Sequence, residues 1–263
     1  MKIDCFPRWF HAKISVTNMA NIKLLNLGCG IKTSNKPGVT NIDWSFYLRI
    51  KKSKILSSLT PLFLKGVRLE RFKSLPDNIM VHNLANGMPF ENDSADAVYH
   101  SHMLEHLDRE VAEKFLLEVK RVLKPGGIHR IVVPSFEVLC KAYVSHIALC
   151  ESQPTEAQNH DKFIGDVLEQ SVRKEGVGTC IQTPLKRFVE NLVVGDARRR
   201  GETHQWAYDR FSLKAKLENA GYKEIIEQDY DTSLIPDWVE YGLDTDENNA
   251  PYKPDSLYME ARK

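Results

Sequence analysis

The chain has 263 residues, 42% of them hydrophobic, which is enough for one α/β domain with an insertion. A formal net charge of +1 provides no global field for nucleic acid or an anionic membrane. The five cysteines, at 5, 29, 140, 150 and 180, are odd in number and include no Cys-x-x-Cys pair, so they signal neither a disulfide framework nor a zinc knuckle. Reduced thiols and a cytoplasmic location are expected. No apolar run reaches the ~18–20 residues of a membrane span. The opening MKIDCFPRWFHAKISV lacks the long apolar stretch of a secretory signal.

"IKLLNLGCG" (22–30) is a short apolar run ending at glycines, which predicts a buried parallel strand meeting a tight turn. "KTSNKPG" (32–38) is turn chemistry, and "VTNID" (39–43) predicts a second strand ending in an acid. Residues 44–75 set Arg49, Lys51, Lys52, Lys54, Lys65, Arg68, Arg71 and Lys73 against Glu70 alone, with apolar residues between them. This predicts a basic, amphipathic helical insertion. "NIMVHNL" (78–84) and "DAVYHSH" (96–102) are the third and fourth strands. The clearest helix is "LDREVAEKFLLEVKRVLKPGG" (107–127), with Val111, Phe115, Val119 and Val122 at helical spacing. Acids near its start and bases near its end suit the helix dipole, and Pro125-Gly126-Gly127 predicts its stop.

"IHRIVVPS" (128–135) is the fifth strand. Residues 137–205 read as helical but irregular, too long for an ordinary crossover, and predict an inserted, mobile helical cap. "DRFSLKAKLENAGYKEIIEQDY" (209–230) gives a helix, a glycine stop and a strand, and "DSLYMEARK" (255–263) a last strand. Strands alternating with helices argue for a single α/β domain over 1–263, with a doubly wound, mainly parallel, seven-stranded sheet and helices on both faces.

Ligands of such sheets sit beyond the carboxyl ends of the strands. Gly28-Cys29-Gly30 follow the first strand, Asp43 the second, Asn83 and Leu84 the third, and Ser101 and His102 the fourth. Glycine lets the backbone approach a ligand, and a carboxylate at 43 suits two ribose hydroxyls. The same residues also suit a plain turn, a helix cap and a turn amide. A dinucleotide fingerprint needs a third glycine where Thr33 stands, so a nucleoside without pyrophosphate is the better match.

The ordered set "LNLGCG" (25–30), "NID" (41–43), "MPFENDSADAVYHSHMLEHLDRE" (88–110) and "RVLKPGGIHRIVVPSFE" (121–137) spans much of the chain. With "LEQSVRKEGVG" (168–178), "THQWAYDRFSLKAKLENAGY" (203–222) and "SLYMEARK" (256–263), it resembles class I S-adenosylmethionine-dependent methyltransferases. More narrowly, it is similar to the type-11-like enzymes of bacterial surface-polysaccharide and glycan clusters. The resemblance implies a Rossmann-like fold and S-adenosylmethionine as cofactor. It implies that Gly28, Cys29 and Gly30 lie against the methionine part, that Asp43 holds the ribose, and that Leu84 flanks the adenine. Ser101 and His102 then line the methionine side. Two positions depart from the family: Asn83 where an aspartate is common, which loses charge assistance toward the adenine amine, and Asn26 where many relatives have an acid.

Transfer to a hydroxyl needs alignment and a nearby base. The candidates are His102, His106, Glu169, His204 and Tyr208, and His204 is preferred, expected to reach the pocket from the far side with an imidazole near its ordinary pKa of about 6.5. Trp206 suits a sugar face or the core. Glu105 and His106 suit a structural bond that pins the strand-to-helix turn. His100, His102 and His106 have tempting spacing, but the resemblance carries no metal and none is expected. The partner implied is a small-molecule acceptor, a sugar or a phosphorylated metabolite. Nucleic acid is disfavoured, since no RNA-binding motif accompanies the basic segment, which also suits peripheral contact with a membrane near lipid-linked glycans.

Overall fold

The computed structural model describes residues 22–169 and 203–263. Its strands are β1 (Leu24–Leu27), β2 (Val39–Asp43), β3 (Ile79–Val81), β4 (Ala95–Ser101), β5 (Leu123–Pro134), β6 (Lys223–Gln228) and β7 (Ser256–Arg262). They form one sheet in the order β3-β2-β1-β4-β5-β7-β6. All pairs from β3 to β5 are parallel, and β7 runs antiparallel between β5 and β6. The expected seven-stranded, mainly parallel sheet is therefore present. Strand order reverses at β1, so the crevice for a ligand opens beyond the carboxyl ends of β1 and β4.

Local sequence explains most elements. Every residue of β1 is buried, as an apolar strand covered on both faces requires. The basic insertion folds as α1 (Phe46–Lys52), α2 (Lys54–Phe63) and α3 (Val67–Lys73). Helix α4 (Arg109–Val122) buries Ala112, Phe115, Leu116, Val119 and Val122. Val111, expected on that stripe, is 43% exposed, because the buried face begins at Ala112. The helix also stops before the Pro-Gly-Gly signal. β5 starts at Leu123, which pairs with Ala95, and a register shift between Ala95 and Ala97 absorbs the extra residues.

Helix α5 (Phe136–Ser152) follows β5 at once, capped by Ser135, whose hydroxyl accepts from Val138 N at 3.3 Å. Helix α6 (His160–Glu169) packs on α5. Within the segment 137–205, α5 and α6 account for most of 137–169, residues 203–205 are irregular, and 170–202 lie outside the described residues. Helix α7 (Arg210–Asn219) opens with a capping box between Asp209 and Ser212. No helix among the described residues is long and apolar enough to cross a membrane.

The two faces of the sheet are covered differently. Helices α4 and α7 cover one, over Leu25, Leu27, Val98, Ile131 and Val133. The other face carries α1, whose Leu48 packs with Ile79 and Val81 of β3, and the irregular segment 229–255, so helices lie on both faces as expected. From that segment Ile235, Trp238 and Leu243 pack on Leu24, Ala97, Tyr99, Val132 and Tyr258.

Candidate active site

Just past β1 the chain turns through Gly28 (φ 61°) and Gly30 (φ 54°), left-handed conformations that favour glycine. A Cβ on Gly28 would lie 2.7 Å from Met103 Sδ, whereas one on Gly30 would meet nothing within 4 Å. Asn26 braces this loop. Its amide donates to Lys32 O at 3.0 Å and to Asn41 Oδ1 at 2.9 Å. Gly30 N donates to Asp43 Oδ2 at 2.8 Å, tying the end of β2 to the glycine turn. Burial raises the Asp43 carboxyl above its ordinary range, against the pull of that bond. Burial also pushes the Cys29 thiol up to about 12, so it is a neutral packing group beside Leu48 and Ile79.

A cavity of about 360 Å³ opens here and collects Asn26, Gly28, Cys29, Gly30, Ser101 and His102. It also gathers residues that the sequence reading missed, among them Lys32, Tyr252 and Lys253. Lys32 Nζ donates to Thr245 O at 2.6 Å and lies 4.3 Å from the Tyr252 ring. No local pattern marked the loop before β7 as part of the site. Asn83 and Leu84 do not line this cavity. The Asn83 oxygen accepts from Ala85 N at 3.0 Å and caps the 3-10 turn Leu84–Asn86, so it is the turn amide of the plainer reading. Leu84 packs at the edge of the core under α4.

His102 adopts φ 48° and leaves the line of β4. Its Nε2 lies 2.8 Å from Ser256 Oγ. It therefore does not share a face with His100, which is fully buried against Phe115 and His129. A second cavity, of about 280 Å³, is lined by Leu139, Lys162 and Asp166 of α5 and α6 and by Asp255, and His102 lines it too. His102 is thus shared by the pocket at the glycine turn and the pocket beside α5 and α6.

Next to His102 stands an unusual acid. Glu105 is 1% exposed, and its carboxylate has no hydrogen-bond partner among the described residues. Two imidazole nitrogens stand near it, His102 Nδ1 at 3.7 Å and His106 Nε2 at 3.8 Å. Burial pushes its pKa up to about 8. Its backbone carbonyl accepts from Gln205 N at 2.6 Å and from Trp206 N at 3.2 Å, which docks the segment before α7 against the turn after β4. His106 Nδ1 lies 3.3 Å from the Thr203 carbonyl, which as an acceptor selects the Nδ1–H tautomer. The His106 and His204 rings meet edge to face at 4.8 Å.

Several expectations change. His204 does not face His106 across the pocket but lies against it. Burial pulls His102 down to about 3 and His106 down to about 4, so neither keeps the ordinary imidazole pKa that a base was expected to have. Tyr208 is 1% exposed, with burial and the nearby Glu105 charge pushing its hydroxyl to about 12, too high for a base at neutral pH. Glu169 ends α6, but its side chain lies outside the described residues. Trp206 is partly buried on the α4 core, with the Arg109 guanidinium 4.3 Å from its ring.

Residues 57–131, from α2 into β5, match the family model described as a methyltransferase domain. The chain is a methyltransferase. Its sheet is that of the class I enzymes, and its cofactor is S-adenosylmethionine. The residues present fit that cofactor: Gly30 has open space on its Cβ side in the cavity, Asp43 is tied to it through Gly30 N, and Lys253 lines the same cavity. Comparison with curated proteins yields no match. Among solved structures, the chain is similar to a SAM-dependent methyltransferase from Archaeoglobus fulgidus at 14% identity and TM-score 0.40, over 92% of this chain and 86% of that one. It is also similar to an S-adenosylmethionine-dependent methyltransferase from Mesorhizobium loti at 14% identity and TM-score 0.38, over 94% of each chain. Likeness that distant identifies no acceptor.

Proposed function

We propose that this methyltransferase acts on a hydroxyl of a sugar or sugar-derived small molecule, in the manner of enzymes that decorate surface polysaccharides and glycans. The observation that carries the reading is the junction of two cavities at His102. One suits the nucleoside methyl donor. The other, beside α5 and α6, offers Lys162, Asp166 and Asp255, charged groups that suit a polyhydroxylated acceptor.

The sulfonium supplies an already activated methyl group. Transfer breaks the methyl–sulfur bond and forms a methyl–oxygen bond, and the hydroxyl proton must leave. As the new bond forms, that proton becomes far more acidic, so a weak base is sufficient. His102 is favoured over His204 for this step, because burial keeps it neutral and it lines both cavities, which His204 does not. Walls from β4, the cap and the loop before β7 hold the acceptor in line and exclude water.

A phosphorylated acceptor is the second reading, favoured by Lys162 and by Lys253 beside the same histidine. Turnover of labelled S-adenosylmethionine across sugars, nucleotide sugars and phosphate esters separates the two. Methylation of amines or phosphates alone sinks the hydroxyl reading. Asp43→Ala is expected to weaken cofactor binding at least about tenfold in calorimetry, since a charge-assisted bond contributes roughly 1.5–3 kcal/mol. Peripheral membrane contact is supported by α2, whose Ile55, Leu56 and Leu62 are 74%, 52% and 68% exposed beside the basic Lys51, Lys52 and Lys54. Salt-sensitive sedimentation with anionic vesicles tests it, and sedimentation with RNA in place of vesicles would revive the nucleic-acid reading.

A further inference from the structure

Buried carboxylates are almost always hydrogen-bonded, because an unpaired charge away from water costs several kcal/mol. Glu105 breaks that rule at the end of a central strand. Both of its oxygens are buried and without a hydrogen-bond partner among the described residues. What surrounds it is a set of metal-ligand atoms. One oxygen of Glu105, one nitrogen of His106 and one nitrogen of His204 all lie within 4.8 Å of one another.

We propose that Glu105, His106 and His204 bind a divalent first-row transition-metal ion such as zinc or manganese. Three features support the site besides proximity. First, ligands held by bonds of about 2.0–2.2 Å stand roughly 3.0–3.4 Å apart. His106 Nε2 and Glu105 Oε1, at 3.8 Å, need only a small closure to meet that. Second, the Thr203 carbonyl holds the Nδ1–H of His106, and so turns the Nε2 lone pair toward Glu105. Orientation of a ligating imidazole by an acceptor on its other nitrogen is the usual support of metal sites. Third, the two backbone bonds from Gln205 and Trp206 to the Glu105 carbonyl fix the segment bearing His204 against the turn bearing the other two ligands. The site is therefore built by rigid contacts between distant parts of the chain.

Two imidazoles and one carboxylate leave coordination positions open, as in catalytic rather than structural sites. His102, with its Nδ1 3.7 Å from Glu105, separates the ion from the cavity of the methyl donor. The role that follows, which rests on the methyl-transfer reading above, is to fix the turn beside His102, since none of the three ligands lines either cavity. The ion site itself does not depend on that reading, although it reverses the sequence expectation of no metal.

A second cluster supplies the control. His146, Cys150 and His160 of α5 and α6 also converge. There, however, His146 Nδ1 is 2.9 Å from His160 Nδ1 and 3.4 Å from Cys150 Sγ, so the polar atoms satisfy one another. The test is binding of Zn²⁺ alone, and of Mn²⁺ alone, to the chelator-stripped full-length protein, by competition with a chromophoric chelator and by spin resonance. One ion per chain is expected. Glu105→Gln and His204→Ala should each weaken it about tenfold or more, while His146→Ala leaves it unchanged. Circular dichroism checks that each variant is folded, and the conservative Glu105→Asp should restore part of the affinity if a nonspecific fold defect is not the cause. Undiminished binding in folded Glu105→Gln, loss in His146→Ala, or no binding by the parent protein overturns the site. Calorimetry with S-adenosylhomocysteine, run without metal, reports separately on the methyltransferase reading. Cofactor binding with no ion binding defeats this inference alone, and ion binding with no cofactor binding defeats only the role assigned to the ion.

Discussion

Neighbouring residues of β4 and β5 point to opposite faces of the sheet and enter opposite electrostatic worlds. On one face, Tyr99 and Arg130 belong to a fully paired network. The Arg130 guanidinium, with no exposure, donates to Asp244 at 2.8 Å, to Glu260 at 2.9 Å, and to the carbonyls of Thr232 and Asp229 at 2.8 and 2.7 Å. Asp244 accepts also from Tyr99 at 2.6 Å and from Trp238 at 3.2 Å, and Glu260 from Leu234 N at 2.6 Å. On the other face, His100 and His129 are buried with all four ring nitrogens unpartnered among the described residues, and the run ends at the unpartnered Glu105. The difference separates scaffold from site. The first network stitches segment 229–255 to the sheet. The second face keeps polar groups unsatisfied only near the strand ends and in the core leading to them.

The largest effect should come from breaking the paired face. Arg130→Ala leaves two buried carboxylates without their cation and is expected to destabilise the fold by about 3–5 kcal/mol. Urea denaturation measures it, and a loss below about 1 kcal/mol would mean the network is incidental.

Acid probes the other face. Burial lowers the pKa of His100 to about 3, and that of His129 falls well below its ordinary value, through burial and then through His100. The unfolded chain takes up these protons near pH 6.5, while the folded chain resists them. Stability from the pair is therefore complete above about pH 6.5 and declines as pH falls toward 3, by up to about 1.4 kcal/mol per pH unit for each histidine. His100→Phe should flatten the denaturation profile between pH 6.5 and 4. An unchanged slope would show that the pair does not govern the acid limb.

Tyr99→Phe removes one of the donors to Asp244 and should cost about 1.5–3 kcal/mol, as a bond to a charged group does. The smallest change in stability is expected from Glu105→Gln in chelator-treated protein. Burial pushes that carboxyl up to about 8, so near neutral pH the substitution exchanges one uncharged group without a hydrogen-bond partner for another, and stability should shift by less than about 0.5 kcal/mol or rise. A loss of several kcal/mol would place Glu105 with Arg130 as scaffold and erase the contrast.

Much of this was legible in the residues. The glycine turn after β1, Asp43 and the polar strand end at Ser101-His102 follow from a buried strand that stops at a crevice. Other positions misled for local reasons. Asn83 looks like an adenine contact, and its amide oxygen also caps a short turn through Ala85 N, a local bond that the sequence pattern equally allows. Val111 fits the helical spacing but lies outside the stripe, because the entry angle of α4 is set by packing at Ala112 and Phe115. Tyr252 and Lys253 carry no periodic or motif signal, since a loop threaded into a pocket needs none.

The sequence by itself determined the strands, the order of helices between them, the glycine loop and the methyltransferase resemblance. Each is written in short-range patterns of apolar spacing, turn residues and caps. Only the tertiary structure decided which charges are paired. Arg130 meets Asp244 across 114 positions of chain, and His106 meets the Thr203 carbonyl across 97. Likewise His100 and His102, two residues apart, part ways because a left-handed backbone at His102 sends one to the core and the other to the crevice. Hydrogen-bond partners and desolvation are properties of what surrounds a side chain in space. The same acid is inert scaffold when a guanidinium reaches it, and a candidate ligand when only imidazoles do.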